Sequence, residues 1–452
     1  MSFRQGGILH VLAALWVIGV QLPASAHAAP TTTSEPPQLV PIAGGVVIEP
    51  VLTAGDVVGD YQMSGVPDGI GAFRSSATTI ELYMNHELSF ADDDPSNARI
   101  SHLTLDNSGA VVSGEYAVTG SEGFEEFCSA TLATVDGTPW FFTGEEAPRS
   151  SREGSSIALN SATGRYVETP WFGHMYHENV VPVEGLDRSL VVVAEDGQAG
   201  RSQLYVYTSS TLRRSIHGDG SLRAWVPTGS TDANPSPDDI AGGQTLSGRF
   251  VRIPQRMNTS PKELEAASQA IGAFDFVRIE DAVADPSDPG VVYFADTGAA
   301  RKETFRGRIY KLSIDPSRPT RADLEVLLDG DASDDMFNPD NLAVSAKALV
   351  IQEDRNYARS GYNRLLVYRF ADGSLEAVAR TDPRPIAIKR DGGPGAWESS
   401  GVIDASELFG EGWWLLDVQA GDVRVSVPGP SLEPDSAEGE GGQLLKVFIP
   451  NT

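Results

Sequence analysis

The chain has 452 residues and a single cysteine, Cys128, so no internal disulfide can form. Basic residues are also few: 34 Lys and Arg stand against 62 Asp and Glu, a formal net charge of −28. Such an imbalance disfavours nucleic acid and anionic membrane surfaces as partners, and it suits the binding of cations. There is no G-x-S-x-G elbow and no P-loop, so neither a serine-hydrolase nucleophile nor a triphosphate cradle is at hand. Past the N-terminus no apolar run reaches the roughly 20 residues of a membrane helix. Long helical periodicity is missing too. In its place stand 46 Gly, 29 Pro and many short apolar runs, the composition of strands joined by turns.

The N-terminus reads as an export signal. Arg4 is its only positive charge, with no twin arginine, and "ILHVLAALWVIGVQL" leads into the small residues "ASAHAA". Cleavage after Ala26 or Ala28 fits this order, giving a signal over 1–28, a flexible start over 29–40 and one domain over 41–452. The expected destination is the periplasm or the medium, with the protein a monomer. In an oxidising compartment a lone thiol is either hidden or used.

One stretch, "WFFTGEE", ends an apolar strand in two carboxylates, Glu145 and Glu146. The ending recurs: "IELYMNHE" to Glu87, "LVVVAED" to Asp196, "VVYFAD" to Asp296, "LVIQED" to Asp354 and "WWLLD" to Asp417. Upstream of each lies a second marker, in order Asp68, Cys128, Glu178, Glu280, Asp340 and Glu398, opening a strand of small apolar residues. Downstream comes a further strand with its own turn, such as "QLYVYTSS" or "RIYKLSID". Six such units predict an all-β fold, a six-bladed β-propeller. The longer interval between Glu178 and Glu280 holds "SPKELEAASQAIGAF", where Ser260 and Glu263 form a capping box and Pro261 opens a helix. This predicts a small helical insertion between blades 3 and 4, at about 228–275. The last unit stops at its third strand, and "GGVVIEPVLT" is expected to complete it and close the ring.

In an antiparallel hairpin the start of the first strand and the end of the second share one edge. The twelve markers therefore converge on one mouth of the central channel, and eleven of them are carboxylates. Like charges about 6 Å apart repel by roughly 3 kcal/mol at an effective dielectric near 20. Against a fold worth about 5–15 kcal/mol, that crowd requires protons or bound cations. Hard carboxylates favour calcium, whereas a thiolate asks for iron or zinc. The candidate metal ligands are Cys128, Glu145, Glu146, Glu178, Asp196, Glu280, Asp340, Glu353, Asp354 and Glu398. His86 and His177 adjoin such acids, while His102, His174 and His217 have no ligand spacing.

The run "CSATLATVDGTPWFFTGEE" resembles the cysteine motif of PhoX-type alkaline phosphatases, and "NHE", "HEN", "RIED", "PDNL" and "EDR" are similar to that family's other motifs. The resemblance implies a six-bladed propeller that hydrolyses phosphate monoesters with calcium and iron (Fe3+). It implies Cys128 as an iron ligand, with Glu178, Glu280 and the Glu145/Glu146 pair on iron or calcium, and Arg278 as a phosphate contact. Lys389 and Arg390, just before Glu398, add cations near the mouth. Two rivals fit the same strand grammar: a calcium-dependent lactonase or esterase propeller, which needs no thiol, and a non-catalytic scaffold fixed by calcium.

Overall fold

The computed structural model describes Met1 and residues 33–89, 97–147, 150–197, 201–230, 232, 234–254, 259–300, 304–333, 335–354, 362–381, 397–429 and 431–452. The expected signal segment and the Lys389–Arg390 pair lie outside the described residues. Among the described residues no helix is long and apolar enough to cross a membrane.

The chain is all-β and its sheets are arranged as in a propeller. Six strands line the middle: Pro67–Ser76, Phe127–Val135, His177–Val183, Ile279–Ala284, Pro339–Val344 and Trp397–Asp404. Each packs on the next, and the last returns to the first. From each, the chain steps outward through antiparallel neighbours, as Pro67–Ser76, Thr79–His86, Arg99–Leu105 and Val111–Val118 do. The strands are short, apolar and rich in Val, Leu and Ile, and both faces are covered by neighbouring sheets. Aromatic contacts fill the space between them; Phe276, for example, meets Phe294 edge-on at 5.2 Å and Tyr310 at 5.3 Å.

The hydrogen-bonded sheets are not one per unit: five make up the ring, and a sixth is only the small pair Val57–Val58 and Tyr61–Gln62. The third and fourth units share one nine-stranded sheet, because Thr245–Arg252 pairs with Ser221–Pro227 on one side and with Arg321–Asp329 on the other. The expected helix, Pro261–Ala270, is present in the same insertion with its capping box. The joining strand is an addition to the sequence-based picture. "TLSGRFVR" breaks the usual alternation with Gly248, yet a Cβ at that position would lie 2.4 Å from the Trp225 ring. Glycine is what lets this strand approach.

Ring closure follows the expectation. Val47–Thr53 pairs with Ala437–Phe448, completing a four-stranded sheet with Trp413–Val427 and Trp397–Asp404. Residues 33–40 differ from the expected flexible start. Leu39–Pro41 adds a fifth strand beside Leu375–Thr381, Leu39 is buried, and the Gln38 amide donates to Gln443 Oε1 at 2.8 Å. A buried leucine and paired backbone hold this segment down. Removal of residues 33–55 takes away Leu39, Val51 and Leu52, each worth about 1.5–3 kcal/mol of burial. That truncation is expected to prevent folding or to lower the melting temperature by at least about 10 °C. An unchanged thermal melt would contradict the closure.

Candidate metal centre

Strand register positions the acids. In five of the six innermost strand pairs the register slips where the first strand opens: at Asp68, Cys128, Glu178, Glu280 and Asp340. A β-bulge re-aims its side chain, here toward the channel mouth. The partner strands end alike. The backbone N–H groups of Glu87, Glu146, Asp196, Thr297 and Asp354 donate to the carbonyls of Val66, Glu126, Tyr176, Arg278 and Asn338, at 2.8–3.0 Å.

This geometry accounts for the acidic doublets. The first member of each takes hydrogen bonds from a loop; the second faces the mouth. Glu145 accepts from the Glu125 and Ser155 amides at 3.1 and 3.0 Å. Glu195 accepts from the Gln203 amide at 3.0 Å. Glu353 accepts from the Phe337 amide at 2.8 Å and from the Arg364 guanidinium at 2.7 and 2.5 Å. Asp296 takes the Val277 and Arg278 amides, both at 3.0 Å, and Gly298 at 3.1 Å. The structure thus does not bring Glu145, Glu353 or Asp296 into the cluster. They tie loops to strand ends. A neutral Gln at 353 would leave the Arg364 charge uncompensated, so Glu353→Gln is expected to cost about 3 kcal/mol in chemical denaturation.

Ten side chains do converge. Their donor atoms form four groups of three, each group within 4.8 Å: Asp68, Glu87 and Cys128; Cys128, Glu146 and Glu178; Glu178, Asp196 and Glu280; Asp340, Asp354 and Glu398. Cys128 and Glu178 each belong to two groups, so the first three form a continuous arc. Cys128 Sγ lies 3.6 Å from Glu146 Oε2. Asp68 and Glu87 are joined by Gln419, whose Nε2 donates to both, at 3.2 and 2.8 Å. Sequence reading missed this glutamine; its only signal is the step of two along the strand from Asp417.

Burial is the first cause that raises Asp68, Glu87, Cys128, Glu146, Glu178, Glu280, Asp340, Asp354 and Glu398, and Asp68 rises to about 6. Glu87 rises to about 8, helped by the Asp68 charge. Glu146, Glu178, Glu280, Asp340 and Glu398 lie well above the usual carboxylate range, as their neighbours' charges add to burial. The Cys128 thiol is raised by burial and then by Glu178. Among the described residues one cation answers them. Arg278 lays its fork on Asp196 (Nε to Oδ1 2.9 Å, Nη2 to Oδ2 2.6 Å), and Nη2 also reaches Glu280 Oε1 at 2.6 Å. Burial pulls Arg278 down, but Glu280 and Asp196 outweigh it and hold its proton. Its Nη1 has no partner among the described residues, and the side chain is 38% exposed.

Beneath the acids runs a layer of buried hydrogen-bonded side chains. Asn85 donates to Thr143 Oγ1 at 2.8 Å, Asn341 to Ser129 Oγ at 2.8 Å, and Asn179 to Asp281 Oδ1 at 2.6 Å. The histidines next to hub acids face away, because neighbours along a strand point to opposite faces. His86 bonds Gly65 O and Ser101 Oγ, and burial lowers it to about 3. His177 bonds Gly173 O and is lowered to about 4.

The sixth unit departs from the pattern. Its register slip falls at Gly401, not at Glu398, and a Cβ there would lie 2.8 Å from the Asp68 backbone. Asp417 consequently occupies the loop-tying position. It is fully buried, and among the described residues neither carboxylate oxygen has a hydrogen-bond partner. Burial, then Asp68, push it well above the carboxylate range. It is therefore expected to be protonated, and Asp417→Asn should melt no lower than wild type; a large drop in melting temperature would contradict this.

The donor set fits metal ions: buried and half-buried carboxylates crowded within 4.8 Å of one another and one thiol, with the Arg278 guanidinium beside them. A ring of antiparallel sheets carrying acids to one mouth defines an all-β, propeller-like class. Within it, the chain is similar to Pseudomonas fluorescens PhoX, solved in complex with vanadate, a transition state analogue. The TM-score is 0.61 and the identity 14%, over 93% of this chain and 97% of that one. A looser likeness is to the alpha-L-arabinofuranosidase of Fusarium graminearum in complex with arabinobiose (TM-score 0.41, 9% identity, 87% of this chain and 97% of that one). No family model and no curated protein matches the sequence. At these identities the likeness is one of fold.

Proposed function

We propose that the chain is a six-bladed propeller and a metal-dependent phosphomonoesterase acting on a small phosphate ester. The nine-stranded sheet is read as two blades bridged by Thr245–Arg252. The observation that carries the proposal is the arc that shares Cys128 and Glu178 between ligand groups, with Arg278 beside it. The all-oxygen group of Asp340, Asp354 and Glu398 suits calcium. The groups containing Cys128 suit iron, since a thiolate is a soft donor. Asp68, Glu87, Glu146, Glu178, Asp196 and Glu280 complete the set. Bound there, the ions would supply Lewis acidity toward phosphoryl oxygens.

The chain's own residues have distinct tasks. Asp196 and Glu280 fix the plane of the Arg278 fork, leaving Nη1 to donate to a phosphate oxygen. That fixed charge is in place before the ester's own charge shifts, so little reorganisation is needed. Gln419 orients Asp68 and Glu87 through one amide nitrogen. Lys389 is proposed as a second phosphate contact. Export to the periplasm or the medium, and a monomeric state, belong to the same proposal.

The test is a turnover panel of phosphate monoesters and lactones, run with wild type and Cys128→Ser in added calcium. The proposal expects hydrolysis of phosphate esters and at least a hundredfold loss in the variant (roughly the upper end for perturbing a ligand shell). Lactone hydrolysis that survives Cys128→Ser, without phosphatase activity, would overturn it in favour of a calcium lactonase. Tight calcium binding with no turnover of any ester would leave a scaffold.

A further inference from the structure

On the face opposite the acids lies a cleft of about 590 Å³, lined by Arg188, Arg214, Arg223, the hydroxyls of Thr208, Ser221 and Thr320, and one carboxylate, Asp219. Its position follows from strand direction. His177–Val183 starts at the hub with Glu178 and runs away from it, so the turn carrying Arg188 is at the far end. Ser209 ends an outward-running strand, and Ser221 begins its return. Thr320 sits in the corresponding turn of the fourth unit.

Four features point to an anion. First, three arginines line a cleft in a chain whose acids outnumber its bases by 62 to 34. Second, Arg223 stands directly opposite Arg252 in adjacent antiparallel strands. Like charges at such a cross-strand position repel, and the pair persists although the chain has acids to spare. Third, only Arg214 is neutralised, by Asp219; among the described residues Arg188, Arg223 and Arg252 have no carboxylate partner. Fourth, Arg223 is already aimed. Its Nε donates to Thr208 Oγ1 at 3.1 Å, with the guanidinium half-buried against the Phe250 carbonyl at 3.5 Å. Burial, then Arg252 and Arg188, pull its pKa below the ordinary arginine value.

We propose that this cleft is a binding site for an oxyanion, a phosphate or sulfate group carried on a small hydroxyl-bearing body, held by Arg188 and Arg223, with the Arg252 charge across the strand from Arg223. A guanidinium fork matches two oxygens of such a group. The volume lies within the range of small-molecule sites, about 300–1,000 Å³, which leaves room for more than the anion. The site is independent of the hub and needs no metal.

The experiment compares full-length wild type with the R188Q/R223Q double variant. Inorganic phosphate and inorganic sulfate are each titrated calorimetrically, and melting temperatures are read against chloride at matched ionic strength. Binding in wild type should be saturable and at least about tenfold weaker in the variant, since two charge-assisted contacts are lost. Without oxyanion the variant should melt no lower than wild type, because a like-charge pair has been relieved. Phosphatase turnover at the hub should be the same in both. A preference for phosphate over sulfate, or the reverse, identifies the natural group. Equal affinities in wild type and variant, or no response beyond that to chloride, would overturn the site.

Discussion

Stripping the protein with a chelator is expected to lower its melting temperature by about 10 °C or more, and readdition of calcium with iron should restore it. A ligand held at a thousand times its Kd stabilises by about 4 kcal/mol. In a chain this large, each kcal/mol moves the melting point by roughly 2–4 °C. The loss should depend on pH. In the cation-free protein Asp68 titrates at about 6 and Glu87 at about 8, pushed up by burial, whereas both titrate near 4 when unfolded. The folded state then binds more protons than the unfolded chain across that window. The stability these two groups contribute is full below about pH 4 and is lost as pH rises through 8. Cations compete for the same oxygens, so the loaded protein should show the opposite trend and the two melting curves should diverge toward alkaline pH. Parallel curves would mean that no cation occupies the carboxylates.

Arg278→Gln is expected to cut kcat/KM for a phosphate ester by about 10²–10³, the usual consequence of removing one fixed charge from a transition-state contact. Arg278→Lys should recover little, because an ammonium cannot hold Asp196 through two nitrogens and also present a third to substrate. Metal content should persist in both variants, since Arg278 is not a donor to the ions. Full kcat/KM in Arg278→Lys would show that the fork does not touch substrate. Loss of metal together with activity would assign it to holding Asp196 and Glu280.

Much of the site was legible because acids recur at strand ends with a spacing that a meander converts into proximity. Asp68, Cys128, Glu178, Glu280 and Asp340 all sit at register slips that turn them to the mouth. The doublets were not legible in the same way. "GEE", "AED" and "QED" offer two acids each, and only the fold separates the one that holds a loop from the one that faces the channel. In the fourth unit the loop position is acidic and the mouth position is Thr297, so Asp296, one of the twelve strand-end markers, is not brought to the cluster. A β-bulge has no composition of its own, so the displaced slip at Gly401 was invisible. The strand Thr245–Arg252 was missed because Gly248 and flanking arginines hide its alternation, although Phe250 and Gly248 are its buried positions. The ring closure by Val47–Thr53 was readable, as an unassigned strand at one end met an unfinished unit at the other.

The most direct test of the hub is elemental analysis of protein purified without chelator, alongside Cys128→Ser and Glu178→Gln. The account predicts calcium and iron in the wild type, with iron lost from both variants and calcium reduced in Glu178→Gln. A wild-type protein carrying no cation above background, and melting the same with and without chelator, would contradict it.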